Sequence, residues 1–147
     1  MAADFVVTNA VAQAMLNAFT TALDAGTQAV LEIYSGTVPA DADASGAGLT
    51  LLASLPMTAN PSFGAATDLN PGARITANTI TADSSADATG TASCFRMKTQ
   101  TGGTVCAQGT VGTASADLIL NTTSITSGST VSVTSATVTL PEGVGRP

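Results

Sequence analysis

Residues 91–111 read TASCFRMKTQTGGTVCAQGTV, and this stretch decides the fold class. Two runs of alternating side chains flank Thr101-Gly102-Gly103, a turn that asks for a permissive backbone. Ser93, Phe95 and Met97 fall on one side of the first run. Cys94, Arg96 and Lys98 fall on the other. Val105, Ala107 and Gly109 continue the inward side, with Cys106 and Gln108 outside. The pattern predicts a β-hairpin.

The same grammar extends outward from the hairpin. Gln28 to Tyr34 reads as a strand closed by Ser35-Gly36. Residues 37–48 are a loop rich in Ala, Asp and Gly. Leu49 to Leu55 is an apolar strand ended by Pro56. Residues 56–72 hold Pro56, Pro61, Gly64, Pro71 and Gly72 and read as a long irregular excursion. Arg74 to Ala82 alternates and predicts a strand, and Asp83 to Asp87 a turn. Asp117 to Leu120 is a short strand. Val131 to Leu140 has a clear period of two and ends at Pro141. About seven short strands with regular turn signals predict a mainly β domain, sandwich-like or jelly-roll-like.

One helix precedes it. Thr8 or Asn9 can cap a run whose stripe is Val11, Met15, Ala18, Phe19, Ala22 and Leu23, with Gly26 at the expected C-terminus. Met15, Phe19 and Leu23 are expected to dock on the sheet or to reach a neighbouring subunit. The division is an arm and helix over 1–26 and a β-sandwich over 27–147, forming one unit.

Composition narrows the function. The chain has 147 residues, of which 10% are charged and 3% aromatic, and it has no Trp and no His. About 25% charged is usual for a soluble domain. The core must rely on small side chains, each burying little area, so stability is expected to be gained by association. Net charge is −6, and the cations are Arg74, Arg96, Lys98 and Arg146. Four scattered cations argue against nucleic acid, which needs a basic face. No run approaches the ~20 apolar residues of a membrane span, and the first residues lack the basic start of a secretory signal.

Candidate chemistry is thin. Without His, no Ser-His-Asp or Cys-His arrangement can form within this chain. Asp41 with Asp43, and Asp83 with Asp87, are pairs of carboxylates in loops of small residues that would not tune them. Asp41-Ala-Asp43-Ala-Ser45-Gly46 opens like a calcium loop, but Leu52 stands where a bidentate Glu is needed; a solvated loop is the better reading. Parity puts Cys94 and Cys106 on one face of the hairpin. A cross-strand disulfide is one reading, and two small semi-buried thiols the favoured one. No catalytic, cofactor or metal site is expected, and the chain reads as a non-enzyme.

Longer quotations carry a resemblance. They are NAVAQAMLNAF from Asn9, LEIYSGTVPADAD from Leu31, LLASLP from Leu51, DATGTASCFR from Asp87, ADLILN from Ala116 and VSVTSATVTLP from Val131. The chain resembles a family of small virion structural proteins of tailed bacteriophages. The resemblance implies a capsid decoration, or cement, protein of the virion, made in the host cytoplasm. Its partners would be the major capsid protein and copies of itself, as a trimer. A tail or tail-fibre component with receptor or glycan binding is the alternative. Candidate contact residues are Phe5, Val6 and Val7 of the arm, Met15 and Phe19 of the helix, and Pro61 and Phe63 of the 56–72 excursion.

Overall fold

A computed structural model describes residues 5–141 of the chain. Thr8 stands in extended backbone and its hydroxyl accepts the Val11 N–H at 3.3 Å, which starts helix α1 (Asn9–Leu23). Ala12, Leu16, Thr20 and Leu23 form its inward face, with Phe19 half-buried beside them. The expected stripe is therefore corrected over most of its length. Leu23 and Phe19 turn inward, but Met15 is 51% exposed, and Val11, Ala18 and Ala22 lie outside with it. Steps of four residues overshoot a turn by about 40°, so 15-19-23 drifts across the helix. Gly26 also has another role. The helix is capped at Asp24 with φ −84°, and Gly26 serves close approach: a Cβ there would run into the Thr99 carbonyl.

Ten strands follow: β1 (Val30–Ser35), β2 (Thr50–Pro56), β3 (Thr67–Asp68), β4 (Ala73–Thr76), β5 (Gly90–Thr91), β6 (Cys94–Lys98), β7 (Val105–Gly112), β8 (Leu118–Ile119), β9 (Ser124–Ile125) and β10 (Thr137–Leu140). A five-stranded sheet runs β2-β1-β6-β7-β8, a three-stranded one β10-β4-β3, and β5 pairs β9. The β7–β8 pair is parallel; the other named pairs are antiparallel. The protein is thus mainly β and sandwich-like behind one N-terminal helix. One core joins α1, Leu31 and Ile33 of β1, Ala53 and Leu55 of β2, Met97 of β6 and Ala73 and Ile75 of β4.

The hairpin forms as expected, closed by Thr99 N–H to the Thr104 carbonyl at 3.0 Å with Gly102 at φ +71°. Its register separates the thiols. Cys94 sits opposite Thr110, while Cys106 falls at a bulge beside Met97 and Lys98. Both are free. The side assigned outward is not open either: Cys94 is fully buried and Arg96 is 4% exposed.

The excursion over 56–72 is tied down. Both Asp24 carboxylate oxygens accept the Ser62 N–H at 3.1 Å, and Asn17 Oδ1 accepts the Ala66 N–H at 2.9 Å. Phe63 packs edge-on against Phe19, with ring centroids 5.9 Å apart.

Two expected strands are cut short. Arg74 to Ala82 keeps its ladder only to Thr76, because the following peptides serve the excursion. Asn78 N–H donates to the Ser62 carbonyl, and the Thr79 carbonyl accepts from Thr58. Its partner, Val131 to Leu140, is then paired at its ends alone: β10 against β4, and Val131 against Asp83.

Asp83 is the second surprise of that region. The outer edge of β2 is covered by residues 80–87, where Leu52 and Pro56 carbonyls accept the Asp87 and Thr81 N–H groups. The Asp83 carboxylate takes the Ser54 N–H on one oxygen and the Ser85 N–H on the other, both at 2.9 Å. Its backbone exchanges two hydrogen bonds with Val131. Losing a charged acceptor for two amides costs about 2 kcal/mol. Asp83→Ala is therefore expected to lower unfolding free energy by about 2 kcal/mol in urea titration. Asp87→Ala, whose exposed side chain has no such role, should stay within about 0.5 kcal/mol of the parent.

Candidate functional site

Two arrangements stand out, a roofed charged cluster and an open trough. The cluster begins with β1, which is buried along most of its length. Leu31 and Ile33 face the core, so Glu32 and Tyr34 must face the other way. Ser54, Glu32, Arg96 and Gln108 lie in one cross-strand row over β2, β1, β6 and β7. Residues 37–48 cross over this row. Arg96 Nη2 donates to the Ala44 carbonyl at 2.8 Å and to Gln108 Oε1 at 3.1 Å. Gln108 Nε2 donates to the Pro39 carbonyl at 2.9 Å. Lys98 Nζ stands 2.7 Å from the Glu32 carboxylate and donates to the Tyr34 hydroxyl at 2.9 Å. The Tyr34 hydroxyl donates to Glu32 in turn.

Burial pulls the Lys98 pKa down, but hydrogen bonds to Glu32 and Tyr34, with the Glu32 charge, outweigh it and hold the ammonium above its ordinary value. Burial, then the Glu32 hydrogen bond, pushes Tyr34 up. Burial likewise raises the Cys94 and Cys106 thiols, which disfavours thiolate chemistry. The cluster has closed on itself: each carboxylate, ammonium and phenol in it is spent on a neighbour. Its chemistry is structural, holding the 37–48 segment to the sheet.

The loop that opens like a calcium site is folded by its own side chain. Asp41 Oδ1 accepts the Ala44 N–H at 2.7 Å, an Asx-type turn. Asp43 is exposed, and Leu52 is a fully buried core residue. Among the described residues no three His, Cys, Asp or Glu side chains gather to hold a metal ion.

The trough lies between residues 117–121 and 132–137. Leu31, Phe95 and Met97 line one cavity of about 230 Å³, together with Asp117 to Ile119 and Ser135 to Thr137. A second cavity of about 130 Å³ continues it between Ile119–Asn121 and Ser132–Ser135. Asp117 is the one charge there, and it is turned back. Its carboxylate accepts the Thr110 N–H and hydroxyl, both at 2.9 Å, which lowers its pKa. No signal in the sequence marked this trough, because it arises where a ladder stops.

The expected contact residues fall into two groups. Phe5 is 83% exposed, Val6 43% and Met15 51%, and Pro61 is also exposed. Val7 and Phe19 are half-buried against the core, and Phe63 is inside it at 1%. Phe63 therefore offers no surface; the excursion uses it as a plug. Comparison with known proteins brings no match: no family model fits the sequence, and neither a curated protein nor a solved structure is similar to it.

The cluster generates an alkaline signature. The native state holds the Lys98 and Tyr34 protons more tightly than the unfolded chain does. Stability from these groups is then complete below about pH 10 and is lost as pH rises through the raised folded values. The raised thiols make the urea midpoint begin to decline above about pH 8.5, and a further fall is expected above about pH 10 from Lys98 and Tyr34; Lys98→Met should flatten that upper part.

Proposed function

We propose that this protein is a structural component of a tailed-phage virion, a capsid decoration protein that binds the head shell and stabilises it. The observation that carries the reading is an outward helix face without charge. From Phe5 to Leu23 no residue is charged. Val11 and Met15 stand exposed on it, and Phe5 and Val6 stand exposed in the segment before it. Exposed large apolar side chains without neighbouring charge are characteristic of a face that is covered in an assembly. The resemblance in the quoted segments supports the same reading.

Cement action follows from mass action: a protein that binds the assembled shell, and not its separated parts, stabilises the shell. Repetition over a symmetric lattice multiplies weak contacts. The competing reading, a tail component that binds glycans, wants aromatic platforms. Here Phe63 and Tyr34 are buried and Phe19 and Phe95 half-buried, so among the described residues Phe5 alone stands well into solvent.

Copy number tests the proposal. Calibrated mass spectrometry of purified virions is expected to give a ratio to the major capsid protein of one, or a simple lattice fraction of it. A handful of copies per particle would move the protein to the tail and overturn the decoration role. Absence from the particle would overturn both.

A further inference from the structure

Residues 132–135 belong to no strand, and their backbone joins no ladder on either side. Pairing with the β4 side stops at Ala136, whose carbonyl accepts the Ala77 N–H at 2.8 Å, and resumes at Val131. On one flank lies an opening lined by Asn78 to Ile80, on the other the trough against β8.

The two walls of the trough are strand edges. In β8, the Leu120 N–H bonds back to Gly112, so the peptide groups of Ile119 between point away from β7. In β10, the Ala77 to Ala136 bond sets the alternation: Val138 and Leu140 serve β4, and Thr137 and Thr139 turn their peptide groups outward. The floor between these edges is apolar, formed by Leu31, Phe95 and Met97. An extended peptide laid there would gain main-chain hydrogen bonds and a place for one large apolar side chain.

We propose that the trough is a strand-addition site that takes the N-terminal arm, Phe5 to Thr8, of a second copy of this chain. The arm is non-helical, uncharged and carries the most exposed large apolar side chain, Phe5 at 83%. Because Phe5 is exposed in its own chain, it does not fill its own trough. The trough matches it in charge: no charged residue occurs from Leu118 to Pro141, and Asp117 is occupied by Thr110. Two copies of net charge −6 repel each other, so contact through uncharged segments is the favourable route. Arm-to-trough contact can close as a reciprocal exchange between two copies, close as a ring, or continue as an array.

The inference deepens the self-association in the proposed function and rests on that part alone, so its failure would leave the copy-number result standing. The test is sedimentation velocity on the full chain, on Phe5→Asp and on Ile119→Asp. Both positions are exposed, and circular dichroism should be unchanged in both variants. The parent is expected to sediment as an oligomer and each variant as a monomer. An equimolar mixture of the variants should form a heterodimer, since the intact arm of one meets the intact trough of the other. Hydrogen exchange should show the Ile119 and Thr137 amides protected in the parent and open in Phe5→Asp. Oligomeric Phe5→Asp, or a mixture that stays monomeric, would overturn the proposal. A monomeric parent with protected amides would overturn it too, by placing the arm in its own trough.

Discussion

Strand β1 is covered on both faces, and the remainder of the structure is arranged around that constraint. A chain with few large apolar side chains cannot complete two apolar layers. It covers one face with its core and the other with a hydrogen-bonded roof. Glu32 is the residue this puts at risk, since an ionised carboxylate at 3% exposure is costly unless it is paired. Lys98 and Tyr34 supply the pairing, and both are held by the strand register that places β6 beside β1. The roof follows from the same register, because Arg96 and Gln108 stand in the Glu32 row and reach the loop carbonyls.

This use of polar groups recurs. Asp24 and Asn17 on the helix hold the 56–72 excursion, Asp83 closes the edge of β2, and Asp117 ties β8 to β7 through Thr110. Each is a carboxylate or amide accepting backbone N–H groups, the strong and geometrically selective form of hydrogen bond. With only ten acids and four cations in the chain, charges spent inside are missing outside. The outward helix face and the 118–141 segment are left without any. The core itself does not rest on small side chains as the composition suggests, since Phe63, Met57 and several Leu and Ile residues fill it; what is unusual is the uncharged surface, and such a surface gains by being covered.

The strands legible in sequence were those whose period agreed with their local pairing. The 91–111 hairpin, with its Gly-Gly turn, is of this kind; the 49–55 strand was legible as an apolar run and the helix start from the capping chemistry of Thr8. Burial was less legible. Arg96 and Cys94 alternate with Phe95 and Met97 as outward residues should, and only a distant loop, 37–48, makes them buried. Asp83 looked like one residue of a solvated turn, because its partners Ser54 and Val131 are remote in sequence. Met15 leaves the sheet-facing side, since four-residue spacing does not follow a helix face indefinitely, and its exposure agrees with its place among the candidate contact residues. The trough had no sequence signal, for the Val131 to Leu140 period is that of an unbroken strand. What interrupts it is the demand of Thr58 and Ser62 on the backbone of Asn78 and Thr79.

That interruption decides which sheet edges are left open. Free strand edges invite pairing, and monomeric proteins blunt them with Lys, Pro or inward charges. Pro141 ends β10, but within the trough itself no Lys or Pro lines either edge. The side chains there include Leu120, Asn121, Ser132 and Thr134, and the nearby carboxylate of Asp117 is held away by Thr110. By contrast, the edge of β2 is thoroughly closed by residues 80–87. One fold therefore protects one sheet edge and leaves another open, and the open one borders an apolar floor. Selective protection of this sort is what pairing with a defined strand requires: the edge that must not join is covered, and the edge that joins is kept short, uncharged and walled, so that a single extended segment fits and a broad sheet does not.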